Sequence, residues 1–204
     1  MAGTAKPRPT IYYIRHGETD WNVAGRLQGR RDVPLNARGR SQATHCGEIL
    51  RDLFEREGRD ASTLDYLSSP LGRARQTMEL ARAALGLGPE SYGIEPRLTE
   101  ISFGDWEGFT IAQLRNRDPQ NAAAREHDKW HFVPPDGESY EMVSNRMREW
   151  YEGLHRDAVV TAHGGTARGL IAFLGIAKPA AAPLLDIAQG VVYVFADEEL
   201  TRYA

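Results

Sequence analysis

Short β-rich runs alternate along this chain with longer stretches of helical period. Residues 10–15 (TIYYIR) are β-branched and aromatic and predict a buried strand. The polar run HGETDWN and the stretch GRLQGRRDVPL follow as loop. From about 37 to 57 the pattern turns helical: Ile49, Leu50, Leu53 and Phe54 share a face, Asn36 stands at a cap position and Gly58 lies just beyond. LDYLSS (64–69) predicts a second strand. Pro70 is expected in the first turn of a helix over about 71–86, ending near Gly86 or Gly88. Residues 97–137 hold several aromatics, a PPDGES turn and one short helix around 110–117. A helix capped by Ser139 follows over about 139–154. AVVTAH (158–163) is then a strand, GGTARGLIAFLG a helix entered through two glycines, and GVVYVFA a late strand.

Strands alternating with helices predict an α/β fold, three layers deep (α/β/α), around a mostly parallel central sheet. At 204 residues the chain fits a single domain at 10–204, with a small helical insertion at about 97–137 and a disordered tail at 1–9.

Composition narrows the function. With 41% hydrophobic residues the chain can bury a core without disulfides or metals. A net charge of -3 gives no footprint for nucleic acid or a membrane surface. The opening MAGTAKPRP lacks the apolar core of a secretory signal, and no run approaches a membrane span. Cys46 is the single cysteine, so no intrachain disulfide forms; a cytoplasmic location is expected. Of 25 basic residues only Lys6, Lys129 and Lys178 are lysine, leaving 22 arginines. Compositional bias accounts for most of them, but guanidinium also grips phosphate through paired hydrogen bonds.

Two strands end alike. TIYYI runs into Arg15-His16-Gly17, and AVVTA into His163-Gly164-Gly165. Ligands of open α/β sheets bind beyond the carboxyl ends of the strands, where free N–H groups favour an anion. LDYLSS brings Arg73 to that rim, and LTEISFGDWEG offers Glu100 among aromatics. Two histidines, two arginines and a carboxylate suit phosphoryl transfer: arginines hold the oxygens, one imidazole attacks, and an acid protonates the leaving oxygen. An imidazole attacks only when neutral, a state that two nearby arginines favour.

Six segments in order resemble the histidine phosphatase superfamily, also called phosphoglycerate mutase-like: IRHGETDWN, RLQGRRDVPLNARGRSQA, LSSPLGRARQT, LTEISFGDWEG, PPDGESYEMVSNRM and VVTAHGGTARGL. The resemblance implies that fold, with the insertion over the active site. It implies that His16 is the nucleophile, Arg15 and Arg73 hold the phosphoryl group, and His163 is the second pocket histidine. Glu100 corresponds to the acid and base, Asn22 to a phosphate contact, and Gln28, Gly29 and the Gly164 amide to the pocket lining. It also implies hydrolysis without metal or organic cofactor, a small-molecule phosphate ester as partner, and an oligomeric state that a homodimer would fit.

Two other activities share these residues. A mutase would return the phosphoryl group to its substrate and use 2,3-bisphosphoglycerate; a silent protein would only bind phosphate ligands. The compact segment after Glu100 resembles the broad-specificity and alpha-ribazole phosphatases instead. Singly, His16 could be a strand-end histidine, Arg73 part of a solvated helix face like Arg75 and Arg82, and Glu107 is a rival to Glu100. His127 and His131 have the i, i+4 spacing of metal ligands without a third, and read as a surface helix. Gly164 to Gly169 spans a Walker interval, but Leu170 and Ile171 exclude that loop. Ser68 and Ser69 read as structural. Arg30 and Arg31 replace an aromatic usual in the phosphatase branch, and either sits in a solvated loop or contacts a second anionic group. Trp106, Phe109, Trp130, Phe132 and Tyr140 line the mouth or form a small core.

Overall fold

Every apolar residue of the first strand, β1 (Ile11–Arg15), is buried, Ile11 and Tyr13 on one face and Tyr12 and Ile14 on the other. A strand apolar on both sides demands cover on both, and that requirement organises the layers. The computed structural model describes residues 8–204; most of the expected 1–9 tail lies outside the described residues.

After a capped turn, α1 (Asp20–Val23), comes α2 (Ala37–Glu57). Asn36 Oδ1 accepts the Gly39 N–H at 2.8 Å, and Gly58 closes the helix in the left-handed region at φ 61°. β2 (Asp65–Ser68) leads to α3 (Gly72–Ala84). Pro70, expected in the first turn, instead precedes the N-cap Leu71. The Gly72 N–H donates to Asp32 Oδ2 at 3.0 Å, a bond that proline in the first turn could not supply. Arg75 is exposed as expected, but Arg82 is not solvated: its guanidinium packs 4.3 Å from the Tyr66 ring centroid and Nε donates to Gly88 O.

A short edge strand, β3 (Gly93–Ile94), precedes the insertion. There the sequence gives two helices rather than one, α4 (Ile111–Arg117) and α5 (Pro119–His127). Trp106 stacks on Phe132 at 5.2 Å and donates Nε1 to Asp118 Oδ2; rather than forming a separate small core, Trp106 and Trp130 join the buried cluster of Ile11 and Tyr13, with Phe109 and Phe132 packed against it. Then follow α6 (Tyr140–Glu152), capped by Ser139, β4 (Ala158–Ala162), α7 (Gly164–Phe173), β5 (Val192–Ala196) and an unforeseen β6 (Glu199–Tyr203).

The sheet order is β3-β2-β4-β1-β5-β6. The first four strands are mutually parallel; β5 runs antiparallel to β1, and β6 to β5. Helices α2 and α3 cover the face of Tyr12, Ile14 and Val159. Helices α6 and α7 cover that of Ile11, Tyr13 and Val160, completing the three layers. Register does the rest. Arg15 lies opposite Ala162, and Ser68 opposite Thr161. The ladder continues one bond further, His16 N–H to Ala162 O at 2.9 Å and Ser69 N–H to Thr161 O at 3.0 Å. His16, Ser69 and His163 therefore leave the sheet at one rim.

Candidate active site

A cavity of about 220 Å³ opens at that rim, with His16 in its wall. The His16 ring is almost wholly buried, and its Nδ1 lies 2.8 Å from Gly17 O. A carbonyl only accepts, so Nδ1 carries the proton and Nε2 presents a lone pair. Burial, then the charges of Arg73 and Arg15, hold the His16 pKa well below the ordinary imidazole value; the Gly17 bond pulls weakly the other way. This imidazole is neutral at physiological pH.

His163 lies fully buried, its ring centroid 5.1 Å from that of His16. Burial, Arg73, His16 and Arg15 lower its pKa too. Its Nε2 meets Ser69 Oγ at 2.7 Å, while Nδ1 is buried without a partner among the described residues. Ser69, read from sequence as merely structural, thus contacts the second histidine. Its place directly after β2, at the same rim, was the available signal.

Arg15 and Arg73 both line the cavity. Arg15 Nη1 donates to Ile187 O at 2.6 Å; Arg73 donates to Arg31 O at 2.6 Å and to Gly29 O at 2.8 Å. Both are aimed by carbonyls, yet each keeps a buried Nε without a partner among the described residues. Buried guanidinium donors left open are suited to an anion.

Glu100 lines the cavity with both oxygens on the Gly165 N–H, at 2.9 and 3.2 Å, and Oε1 also on the Ile101 N–H. A Cβ on Gly165 would collide with Glu100 Oε1, which explains the second glycine at the start of α7. Asn22 Oδ1 accepts from Thr19 and from Gln189 Nε2, leaving its Nδ2 donor for a ligand. Gln28, Gly29 and Gly164 stand in the wall as expected. Gly29 takes φ 52°, and a Cβ there would strike Glu107.

Other expectations resolve differently. Arg30 and Arg31 are not in the wall: Arg30 pairs with Glu138 at 3.1 Å and Arg31 with Glu107 at 3.6 Å. Their segment acts through its backbone, whose carbonyls aim Arg73. Glu107 accepts from the Arg30 and Phe103 N–H groups and is no rival to Glu100. Of the five aromatics weighed for the mouth, Tyr140 alone lines it. His131 lies beyond α5 and bonds Asp128 at 2.8 Å; among the described residues no cluster of three or more His, Cys, Asp or Glu could hold a metal. Sequence reasoning missed Arg26, Arg125 and Arg168, all in the wall. Arg168 is one helical turn after Gly164, a signal that was there to use; nothing local marks Arg125.

A profile of the histidine phosphatase superfamily (branch 1) matches residues 11–199. Adenosylcobalamin/alpha-ribazole phosphatase of Escherichia coli (strain K12) is 33% identical over 178 residues, spanning 84% of this chain and 81% of that protein. Glucosyl-3-phosphoglycerate phosphatase of Mycobacterium tuberculosis is 35% identical over 178 residues, 80% of this chain and 74% of that one. The crystal structure of the alpha-ribazole phosphatase from Shigella flexneri superposes with a TM-score of 0.75 at 30% identity, covering 94% and 93% of the two chains. Among the described residues no helix is long and apolar enough to cross a membrane.

Proposed function

The chain belongs to branch 1 of the histidine phosphatase superfamily, and from that premise we propose a metal-independent phosphatase that hydrolyses a small phosphate monoester through phosphohistidine. The observation that carries this reading is the His16 tautomer: Nδ1 is spent on Gly17 O, so Nε2 faces the cavity as an uncharged nucleophile. Arg15 and Arg73 hold the phosphoryl oxygens and take up the charge spread over them in a loose transition state. With Ser69 donating to Nε2 of His163, Nδ1 of that ring is a further donor.

In the first step Nε2 of His16 bonds to phosphorus as the ester P–O bond breaks. The leaving oxygen takes the proton of the Glu100 carboxyl. Water then attacks phosphorus, giving its proton to the Glu100 carboxylate, and the N–P bond breaks to release phosphate and neutral His16. The carboxylate is placed for both transfers by the Gly165 and Ile101 amides. A cavity of about 220 Å³ suits a small ester rather than a macromolecule.

The test is phosphate release from a panel of esters in EDTA. Wild type is expected to turn over, and His16→Ala to lose at least about a thousandfold in kcat, as removal of a nucleophile does. An acid-labile phosphohistidine on His16 should be trapped by rapid quenching. The panel includes 3-phosphoglycerate with and without 2,3-bisphosphoglycerate: isomerisation without net release would establish a mutase instead. Tight phosphate binding with no turnover would establish a silent binding protein.

A further inference from the structure

The loop that enters β5 lies beyond the last of the six segments that carry the resemblance, yet it reaches the catalytic rim. Ile187 O takes the Arg15 guanidinium, and Gln189 Nε2 donates to His16 O at 3.1 Å and to Asn22 Oδ1 at 3.0 Å. Between them the Ala188 N–H donates to the hydroxyl of buried Tyr193 at 2.6 Å, so the loop is pinned to the sheet. Among the described residues Gln189 is the one side chain bonded to both His16 and Asn22.

The two bonds fix an orientation by stoichiometry. A backbone carbonyl only accepts, so His16 O requires the amide nitrogen of Gln189, and the two hydrogens of that nitrogen serve two acceptors. Asn22 must therefore turn Oδ1 toward Gln189, which leaves Nδ2 as the donor on the cavity side. A flipped Asn22 amide would set an oxygen against a phosphoryl oxygen. Position matters as much as orientation. The α1 turn is four residues long and buries none of them, so neither helix cooperativity nor an apolar face seats it. Thr19 caps the turn and holds Asn22 within it, through its N–H on Oδ1 at 3.1 Å and its Oγ1 on the Asn22 N–H at 3.2 Å. Those bonds lie inside the turn. Gln189 ties the turn to the strand end that carries the nucleophile.

We propose that Gln189 is a positioning residue of the phosphate pocket, reading the His16 carbonyl and holding the Asn22 amide so that Nδ2 meets a phosphoryl oxygen. The inference rests on the proposed function only in that the cavity takes a phosphoryl oxygen, and binding of inorganic phosphate reads it without turnover.

Titration calorimetry with inorganic phosphate tests it on wild type, Gln189→Met, Asn22→Ala and the double variant, each checked by a thermal melt. Methionine keeps the length of the side chain and loses the donor. Gln189→Met is expected to weaken phosphate binding about fivefold, the scale of one lost hydrogen bond to a charged ligand. In the Asn22→Ala background the same change should cost less than about twofold, because the group it positions is gone. The side-chain amide resonances of Asn22 should shift on phosphate addition in wild type and much less in Gln189→Met. Gln189→Ala is the second variant: loss of the donor predicts that it matches Gln189→Met, whereas packing alone predicts methionine near wild type and alanine worse. Wild-type phosphate affinity in Gln189→Met, or a loss that repeats undiminished without the Asn22 amide, overturns the assignment. Absence of phosphate release from every ester would sink the phosphatase reading and leave the phosphate titration to decide the role of Gln189.

Discussion

Ser69 Oγ, 2.7 Å from His163 Nε2, ties up one ring nitrogen of the second histidine and controls the ring's orientation. With the hydroxyl donating to Nε2, the proton resides on Nδ1, the atom left without a protein partner. Ser69→Ala removes that control and leaves a buried nitrogen unsatisfied, a loss of about 1–2 kcal/mol or roughly tenfold in rate. The expected outcome is a kcat about tenfold lower with KM within about twofold, since the phosphate-holding arginines are untouched. The ¹⁵N shifts of the His163 ring should move from one tautomer toward a mixture. A change in KM alone, with the tautomer intact, would reduce Ser69 to packing. The sequence marked His16, His163, Arg15, Arg73 and Glu100 because each ends a strand or sits in a distinctive motif. Ser69 escaped because a serine beside a serine carries no signature of its own. Arg125 escaped because in a chain of 22 arginines only packing tells one from another.

At the scale of elements, α7 starts where it does so that Glu100 can reach its first turn. Both Glu100 oxygens sit on the Gly165 N–H, at the positive end of the helix. Helix propensity alone favours alanine over glycine by about 1 kcal/mol, so a purely structural account expects Gly165→Ala to be neutral or stabilising. The collision of its Cβ with Glu100 Oε1, and its approach within 2.6 Å of Ile101 Cγ2, says otherwise. The carboxylate must shift, and a displacement near 1 Å costs about a hundredfold in kcat. Steady-state kinetics beside a thermal melt check it: near-native kcat would mean that Glu100 has room the structure denies it. Elements defined by period or caps were legible, as Asn36 and Gly58 bounding α2 illustrate. Those without an apolar face were not: α5 buries only Ala122. Edge strand β6 presents residues that are exposed or half-buried, with no alternation to find.

The whole molecule carries a cost of this site in its response to acid. His16 and His163 are both held neutral by burial and by the same two arginines. In the unfolded chain each returns to about 6.5 and binds a proton below that value. Between pH 6.5 and their much lower folded values, the unfolded state therefore holds up to two more protons, so stability rises with pH and is lost as pH falls below 6.5. Each extra proton held by the unfolded state steepens that loss by about 1.4 kcal/mol per pH unit. Against the roughly 5–15 kcal/mol typical of a domain, such a slope is measurable. Exposed His131, raised through its bond to Asp128, acts in the opposite sense, favouring the fold below 6.5 and losing that contribution as pH rises. Urea denaturation at several pH values from 7.5 to 5, in phosphate-free buffer, should show this slope, and His163→Ala should roughly halve it. A stability independent of pH over that range would mean that the two imidazoles are not held neutral together, and the uncharged nucleophile on which the proposed chemistry depends would lose its support.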